Sequence, residues 1–489
     1  MALLRMRRKR RQHHIHSTKT GPRLHRGCEV PNWIISMTQQ QNNKELDARM
    51  DELEAQVPKQ RTSIDFATLQ NKIDKWLLLK DRGVLKVLLA TVIANKLRGD
   101  PVWLMIVSAS GGSKTELLRG LNKIRNIYPL SDLTQQTFLS GMKGENASLL
   151  HKIDPYDTII TLKDFTTVLT MHHDKRQEIL GQMREIYDGH YKKAFGTGET
   201  KEWTGKLGFI AGVTTIIDQY QTVNQVLGER FTQYHLEHDD SLNLARKAIS
   251  NTGDENEMRE DIQESIANFV AGIKIPSTNP AVSGTVQEKI AHLASLCVLG
   301  RSGVFRNGYS RDIEFIPDPE LPTRLTKELL KIASALSLID STSEEKNYEL
   351  IYKIGFDSIP RVRRAILRAV RFDTEYEVSN LSENIGYPVT PIRRALEELM
   401  AFGVMKCRKS GVGSSDWWSL SEKAKQLLEV ALPECEKARK TTVPDVSGDG
   451  FDEAVKFFDE IEKETSPEMS EGGDRQKIGD SPLTQSLMI

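Results

Sequence analysis

An octet of small residues closing on a cation and a hydroxyl, Ser108-Ala109-Ser110-Gly111-Gly112-Ser113-Lys114-Thr115, carries the clearest chemistry in this sequence. Small side chains let backbone N–H groups wrap phosphate oxygens at a helix N-terminus, a lysine neutralises β- and γ-phosphates, and a threonine hydroxyl ligates Mg²⁺. The spacing therefore points to ATP and Mg²⁺ as ligands, held by Ser110, Gly111, Gly112, Ser113, Lys114 and Thr115. Serine replaces the glycines that G-x-x-x-x-G-K-[ST] puts at 108 and 113. A Cβ at Ser113 strains any backbone angle that needs glycine, so binding is expected ahead of fast hydrolysis.

Further along, Thr158-Ile159-Ile160-Thr161-Leu162-Lys163-Asp164-Phe165 reads as a buried strand ending in an acid. Asp164 either ligates the metal or polarises the attacking water; its other use is to cap Thr166 or Thr167. Leu207–Val213 ends at Thr214-Thr215, where a hydroxyl can reach the water beside the γ-phosphate. Leu227-Gly228-Glu229-Arg230-Phe231 then offers one arginine in an apolar setting.

A second chemistry is phosphate-backbone contact. Asp188 to Trp203 has a Gly-Thr-Gly centre with β-forming flanks, the pattern of a hairpin. Its Lys192, Lys193 and Lys201, with Lys206, are candidate DNA contacts by counterion release. Arg361, Arg363, Arg364, Arg368 and Arg371 crowd one helix. Arg393 and Arg394 open another, on which Ile392, Leu396 and Leu399 mark the inward face. Lys406, Arg408 and Lys409 follow on a strand.

The elements that must position these groups follow from periodicity. Val102–Val107, Thr158–Leu162 and Leu207–Val213 are apolar runs of strand length separated by helical segments, which predicts an α/β core with a parallel sheet over 98–240. Helices are expected over 43–97, one of them Asn43–Val57 with Leu46, Met50, Leu53 and Val57 in step, and a helical lid over 241–344. Helices at Arg361–Val370, Val378–Ile385 and Pro391–Phe402, then strands at Val404–Lys409 and Trp417–Leu420 about a Gly411-Val412-Gly413 turn, give the order of a winged helix-turn-helix over 345–430.

Composition bounds the rest. A chain of 489 residues needs several units. Its 67 basic and 67 acidic residues cancel only in sum. Residues 1–27 hold nine Lys or Arg and no acid, which predicts a disordered arm over 1–42 that contacts nucleic acid, targets the chain, or precedes a working start at Met37. An acidic disordered tail is expected over 431–489. Four scattered cysteines argue against disulfides and structural zinc and for a reducing, cytoplasmic compartment; no apolar run approaches a membrane span.

The order of phosphate loop, acid-ended strand, hairpin, polar-ended strand and Arg-Phe pair resembles the AAA+ ATPases. It is similar within them to the minichromosome maintenance helicases and to phage and mobile-element P-loop proteins with a C-terminal winged helix. The resemblance covers about Asp81–Leu420. It implies that Thr214 or Thr215 is sensor 1, that Arg230 acts in trans on a neighbour's ATP in a homo-oligomeric ring, and that the hairpin enters the ring pore. It also places sensor 2 at Arg324 in Leu321-Pro322-Thr323-Arg324-Leu325. Two functions follow: a DNA-dependent, helicase-like ATPase of replication or remodelling, or a DNA-binding regulator whose nucleotide site switches with little turnover. A protein-remodelling ATPase is a third.

Overall fold

The computed structural model describes residues 64–441, apart from 112, 143, 145–146, 221–229, 239, 410, 412–414 and the side chains of 438, 439 and 441. The expected basic arm, the helix at Asn43–Val57, the Val412-Gly413 part of the turn and the tail beyond 441 lie outside the described residues. All described residues belong to one compact unit beginning at Ser63.

Asp65 accepts a hydrogen bond from Thr68 N at 2.7 Å and so starts α1, Phe66–Trp76. Helix α2, Gly83–Lys96, is apolar around its circumference and buried along nearly all its length, as a helix inside a core must be. Its Asn95 clamps the first strand. The side-chain amide donates to Val102 O at 2.8 Å and accepts from Val102 N at 3.0 Å, which pairs two buried backbone groups before the sheet begins.

Strands β1 (Trp103–Val107), β2 (Ile127–Leu130) and β3 (Thr158–Leu162) alternate with α3 (Lys114–Gly120), α4 (Leu149–Lys152), α5 (Thr166–Leu169) and α6 (His173–Tyr187). An antiparallel hairpin, β4 (His190–Ala194) and β5 (Thr200–Thr204), precedes β6 (Leu207–Val213) and β7 (Phe231–His235). The sheet has five strands, all parallel, in the order β2-β3-β6-β1-β7. Strand alternation sends Leu104, Ile106 and Ile210 toward α1 and α2, and Trp103, Met105 and Phe209 toward α6. Both faces are covered, the condition under which unbroken apolar strands are stable. The three strands expected from sequence are β1, β3 and β6; β2 and β7 complete the sheet.

Residues 241–344 are helical, with α7 (Ser241–Ser250), α8 (Glu255–Gly272), α9 (Gly284–Arg301) and α10 (Thr323–Leu336), interrupted by a hairpin of β8 (Phe305–Arg306) and β9 (Ile313–Phe315) that periodicity did not predict. Then come α11 (Glu344–Asp357), α12 (Arg361–Ala369), β10 (Tyr376–Glu377), α13 (Val378–Ile385), α14 (Val389–Ala401), β11 (Met405–Arg408) and β12 (Trp417–Leu420), closed by α15 (Glu422–Ala431) and α16 (Glu434–Thr441). The three short strands form an antiparallel sheet in the order β10-β12-β11.

Two boundaries differ from expectation. No seam falls at 344/345, because α11 packs on β7, α9 and α10, and α15 runs along α9. The stretch from 431 to 441 is helical rather than disordered. Lys440 Nζ donates to the carbonyls of Leu367, Arg368 and Val370, the groups that the end of α12 leaves without helical partners. Among the described residues no helix is long and apolar enough to cross a membrane.

Buried charge fastens α12. Arg363, 2 % exposed, donates two bonds to Glu398 on α14 and others to the carbonyls of Gly300 and Ser302. Removing one partner strands the other charge in the core. Arg363→Ala is expected to lower unfolding free energy by about 3–5 kcal/mol, read from the urea transition; a loss below about 1 kcal/mol would show that the pair does not join these helices.

Candidate functional site

Parallel strands place all their C-terminal ends on one edge, and ligands of such sheets bind outside that edge. Here the edge collects the 108–113 loop after β1, Asp164 after β3, Thr214 after β6 and a histidine after β7. Strand β6 lies between β1 and β3, so Thr214 stands between the loop and Asp164.

The loop leaves β1 with Ser108 N bonded to Val213 O at 3.1 Å. Gly111 has φ 80°, and Ser113, the residue that caps α3, has φ 57° and ψ −9°. Ser113 thus occupies the left-handed region that the loop pattern assigns to glycine, at a cost of roughly 1–2 kcal/mol for a residue with a Cβ. Strain held at a tight loop is common at ligand clamps. Ser110 and Gly111 are exposed and Thr115 is half-buried; Gly112 is outside the described residues.

Lys114 is buried, and its Nζ donates to Ser108 O at 3.4 Å and Ala109 O at 3.2 Å. Burial lowers its pKa, and the charge of Asp164 opposes the shift. A bound polyphosphate would act in the same sense as Asp164. Gly212 on β6 lets these groups converge, since a Cβ there would lie 2.6 Å from Lys163 O and 3.6 Å from Lys114 Cδ.

At the end of β3, Phe165 N donates to Gly212 O at 2.7 Å and the Phe165 ring is in the core. That register leaves Asp164 as the acid at the edge. Its Oδ1 accepts from Thr166 N at 2.9 Å, so the capping use is present. Thr166 Oγ1 in turn meets Thr214 Oγ1 at 3.1 Å and accepts from Thr214 N at 3.2 Å. Between the two threonines left open by sequence, Thr214 is tied to the acid's turn, whereas Thr215 is exposed and begins a 3₁₀ segment. Sequence spacing marks neither Thr166 as a linker nor His238, whose Nε2 lies 2.9 Å from Ser108 Oγ. Only the pairing of β7 beside β1 brings His238 to the loop.

Arg230 and Arg324 lie at the other end of the sheet. Arg230 precedes β7 at the level where β1 begins. It is 5 % exposed, pairs with Asp188 at 2.7 Å and lies 5.5 Å over the Tyr187 ring. Arg324 sits 5.8 Å over the same ring and 3.3 Å from Glu320. Helix α10 is fixed there by Lys327 with Asp100 and by Lys331, which donates to the carbonyls of Gly99 and Asp100. Arg324 is therefore about one strand length, roughly 17 Å, from the loop of its own chain.

The expected DNA contacts divide. In the β4–β5 hairpin, Lys193 and Lys201 point back to the body, binding Gln135 O and Glu178, and Met142 O. Lys192 faces outward but pairs with Glu202 at 3.3 Å, and Lys206 donates to Leu97 O at 2.6 Å. Arg364 is buried against Asp357 and His235. Arg368 is half-exposed at 3.7 Å from Asp357, and Arg361 is exposed beside the Tyr387 ring. Arg408 pairs with Glu375 at 2.6 Å, and Lys409 is exposed. Arg393 and Arg394 are exposed, and among the described residues neither guanidinium meets an acid. The inward turn of Arg364, Lys193 and Lys201 removes them from a ready contact surface.

The chain matches no protein-family model and no curated protein.

Two outcomes test this geometry. Ser113→Gly should raise thermal stability by up to about 1 kcal/mol, the relief of left-handed strain less the added chain entropy; a drop would mean that the serine side chain stabilises the loop. At the opposite end, burial pushes Glu328, beside Tyr187, up to about 8. The unfolded chain ionises this group near its usual range while the folded chain keeps it protonated. Stability attributable to Glu328 is thus complete below about pH 4.5 and lost as pH rises to about 8. Glu328→Gln should flatten that fall, measured by urea unfolding across pH 4–9.

Proposed function

We propose that this chain is an ATP-binding protein with an AAA+-type P-loop core, acting as a DNA-dependent ATPase that contacts DNA through α14. The observation that carries it is the convergence at one sheet edge of a glycine-type loop, a buried lysine, one carboxylate and one threonine hydroxyl. The resemblance to AAA+ proteins stated from the sequence adds to that geometry.

The residues suit the ligand. Gly111 and Ser113 have the positive φ angles that turn loop N–H groups toward an anion. Among the described residues Lys114 Nζ donates to two loop carbonyls, and a triphosphate offers its ammonium a stronger acceptor. Thr115 and Asp164 would hold Mg²⁺, a metal that typically takes one or two carboxylates plus substrate phosphates. When bound, the ion offsets charge on the transferring phosphoryl group. With Asp164, oriented by Thr166 N, on the metal, Thr214, oriented by Thr166 Oγ1, is the group available to orient an attacking water.

For DNA, the order α12, α13, α14, then the antiparallel β11–β12 pair is that of a winged helix-turn-helix. Ile392, Leu396 and Leu399 are buried on α14, which leaves Arg393 and Arg394 outward for a groove or backbone. A ring in which Arg230 serves a neighbouring copy requires that Arg230 leave Asp188. One observation favours the switch with little turnover: Phe165 occupies the core, so Asp164 is the lone acid at that strand end, and one of its oxygens serves a turn.

The deciding measurement is ATP turnover with and without single-stranded and duplex DNA. DNA should stimulate it, and Lys114→Ala should cut it by about 100-fold or more. Tight ATP binding without turnover would establish the switch instead, and absence of ATP binding would end the proposal.

A further inference from the structure

The β8–β9 hairpin displays aromatic side chains that a folded chain has no internal reason to expose. Tyr309 at its tip is 99 % exposed, and Phe305 and Phe315, about half-exposed, lie across its base with rings 5.8 Å apart. The tip is nevertheless stiff. Asn307 Oδ1 accepts from Tyr309 N at 2.8 Å and Ser310 N at 3.0 Å, Asn307 N donates to Asp312 O at 2.9 Å, and Asn307 Nδ2 donates to Glu314 at 2.6 Å. Arg311 takes φ 65° to close the turn. A turn whose backbone is already held has less entropy to lose when something covers its tip.

The hairpin's position points to the occupant. Arg306 at its base donates to Glu398 at 2.9 Å, to Glu397 at 3.1 Å and to the carbonyl of Arg394 at 3.0 Å, so the hairpin is bolted to α14. Arg393 and Arg394 stand one helical turn before Glu397 and Glu398, on the same face of that helix. Both glutamates are taken up by Arg306 and Arg363. Their charge is therefore directed away from Arg393 and Arg394, which remain exposed one turn from the hairpin base. Exposed guanidinium groups near the base of a hairpin whose tip carries an exposed aromatic ring match a strand of negative phosphates carrying stackable bases.

We propose that the β8–β9 hairpin is a base-stacking element for single-stranded DNA, with Tyr309 as the stacking residue and Arg393 and Arg394 holding the adjacent phosphates. This inference rests on the reading of α14 as a DNA contact and adds the class of nucleic acid and a residue outside that helix. It predicts a preference for unpaired DNA, because bases in a duplex do not offer their faces.

The test uses the full chain and a single-stranded oligonucleotide carrying 2-aminopurine, whose fluorescence reports stacking. Tyr309→Ala should weaken binding by about 5- to 30-fold and abolish the 2-aminopurine response, while Tyr309→Phe should keep both. Because the side chain touches solvent almost entirely, neither change threatens folding. Arg393→Glu combined with Arg394→Glu separates the two ideas. If this double variant loses DNA and Tyr309→Ala does not, the stacking inference fails and the DNA reading stands. If neither affects binding, both fail. If Tyr309→Ala leaves DNA affinity intact but changes sedimentation, the hairpin contacts a second copy of the chain and the stacking inference is overturned.

Discussion

A single buried carboxylate, Asp357, governs how the sheet meets the C-terminal helices. It ends α11 at 1 % exposure, accepts from His235 N on β7, and draws Lys353, Arg364 and Arg368 around itself. An anion so deeply buried is tolerable only when paired and hydrogen-bonded. The pairing ties the last strand of the sheet to the arginine helix and makes the C-terminal segment part of the same core. Burial and neighbouring cations also push the His235 pKa well below its ordinary value, so that imidazole is held neutral among these charges.

The sheet has two chemically distinct ends. At the C-terminal edge, small residues and hydroxyls cluster around Lys114 and Asp164, with Thr166 joining the turns after β3 and β6. At the opposite edge, the Tyr187 ring packs near the guanidinium groups of Arg230 and Arg324, and its hydroxyl donates to Glu328. Lys331, pulled down to about 6 by burial and by Lys206, is held there on backbone carbonyls. The first edge gathers a lysine, a carboxylate and hydroxyls around a loop; the second is a buried polar network that stiffens the join between the sheet and α10.

How much could be read from sequence depended on the range of the interaction. The strands β1, β3 and β6, the loop after β1, the αL requirement at Ser113 and the acid at Asp164 are local patterns, and each is visible in a few adjacent residues. Arginine counting misled because α12 carries two faces: Arg363 and Arg364 point inward to Glu398 and Asp357, partners far away in the chain. Lys193 and Lys201 share the hairpin face that carries Tyr191 and Trp203 into the core, and strand alternation turned them with it. Arg324 sits in a good local helix start, but α10 runs along α2 so that this start meets Asp100 instead of the loop.

By itself the sequence determined the α/β class, the tight turn after β1 and the order of the C-terminal elements, because backbone angles and hydrophobic period are encoded within single turns and strands. Only the tertiary structure decided which charges face water. It tied Thr214 to Thr166 and left Thr215 exposed, brought His238 to Ser108, turned Arg364 inward and left Arg393, Arg394 and Tyr309 exposed. Those outcomes depend on which distant residue supplies a counter-charge or covers a face, and no local window of sequence contains that partner.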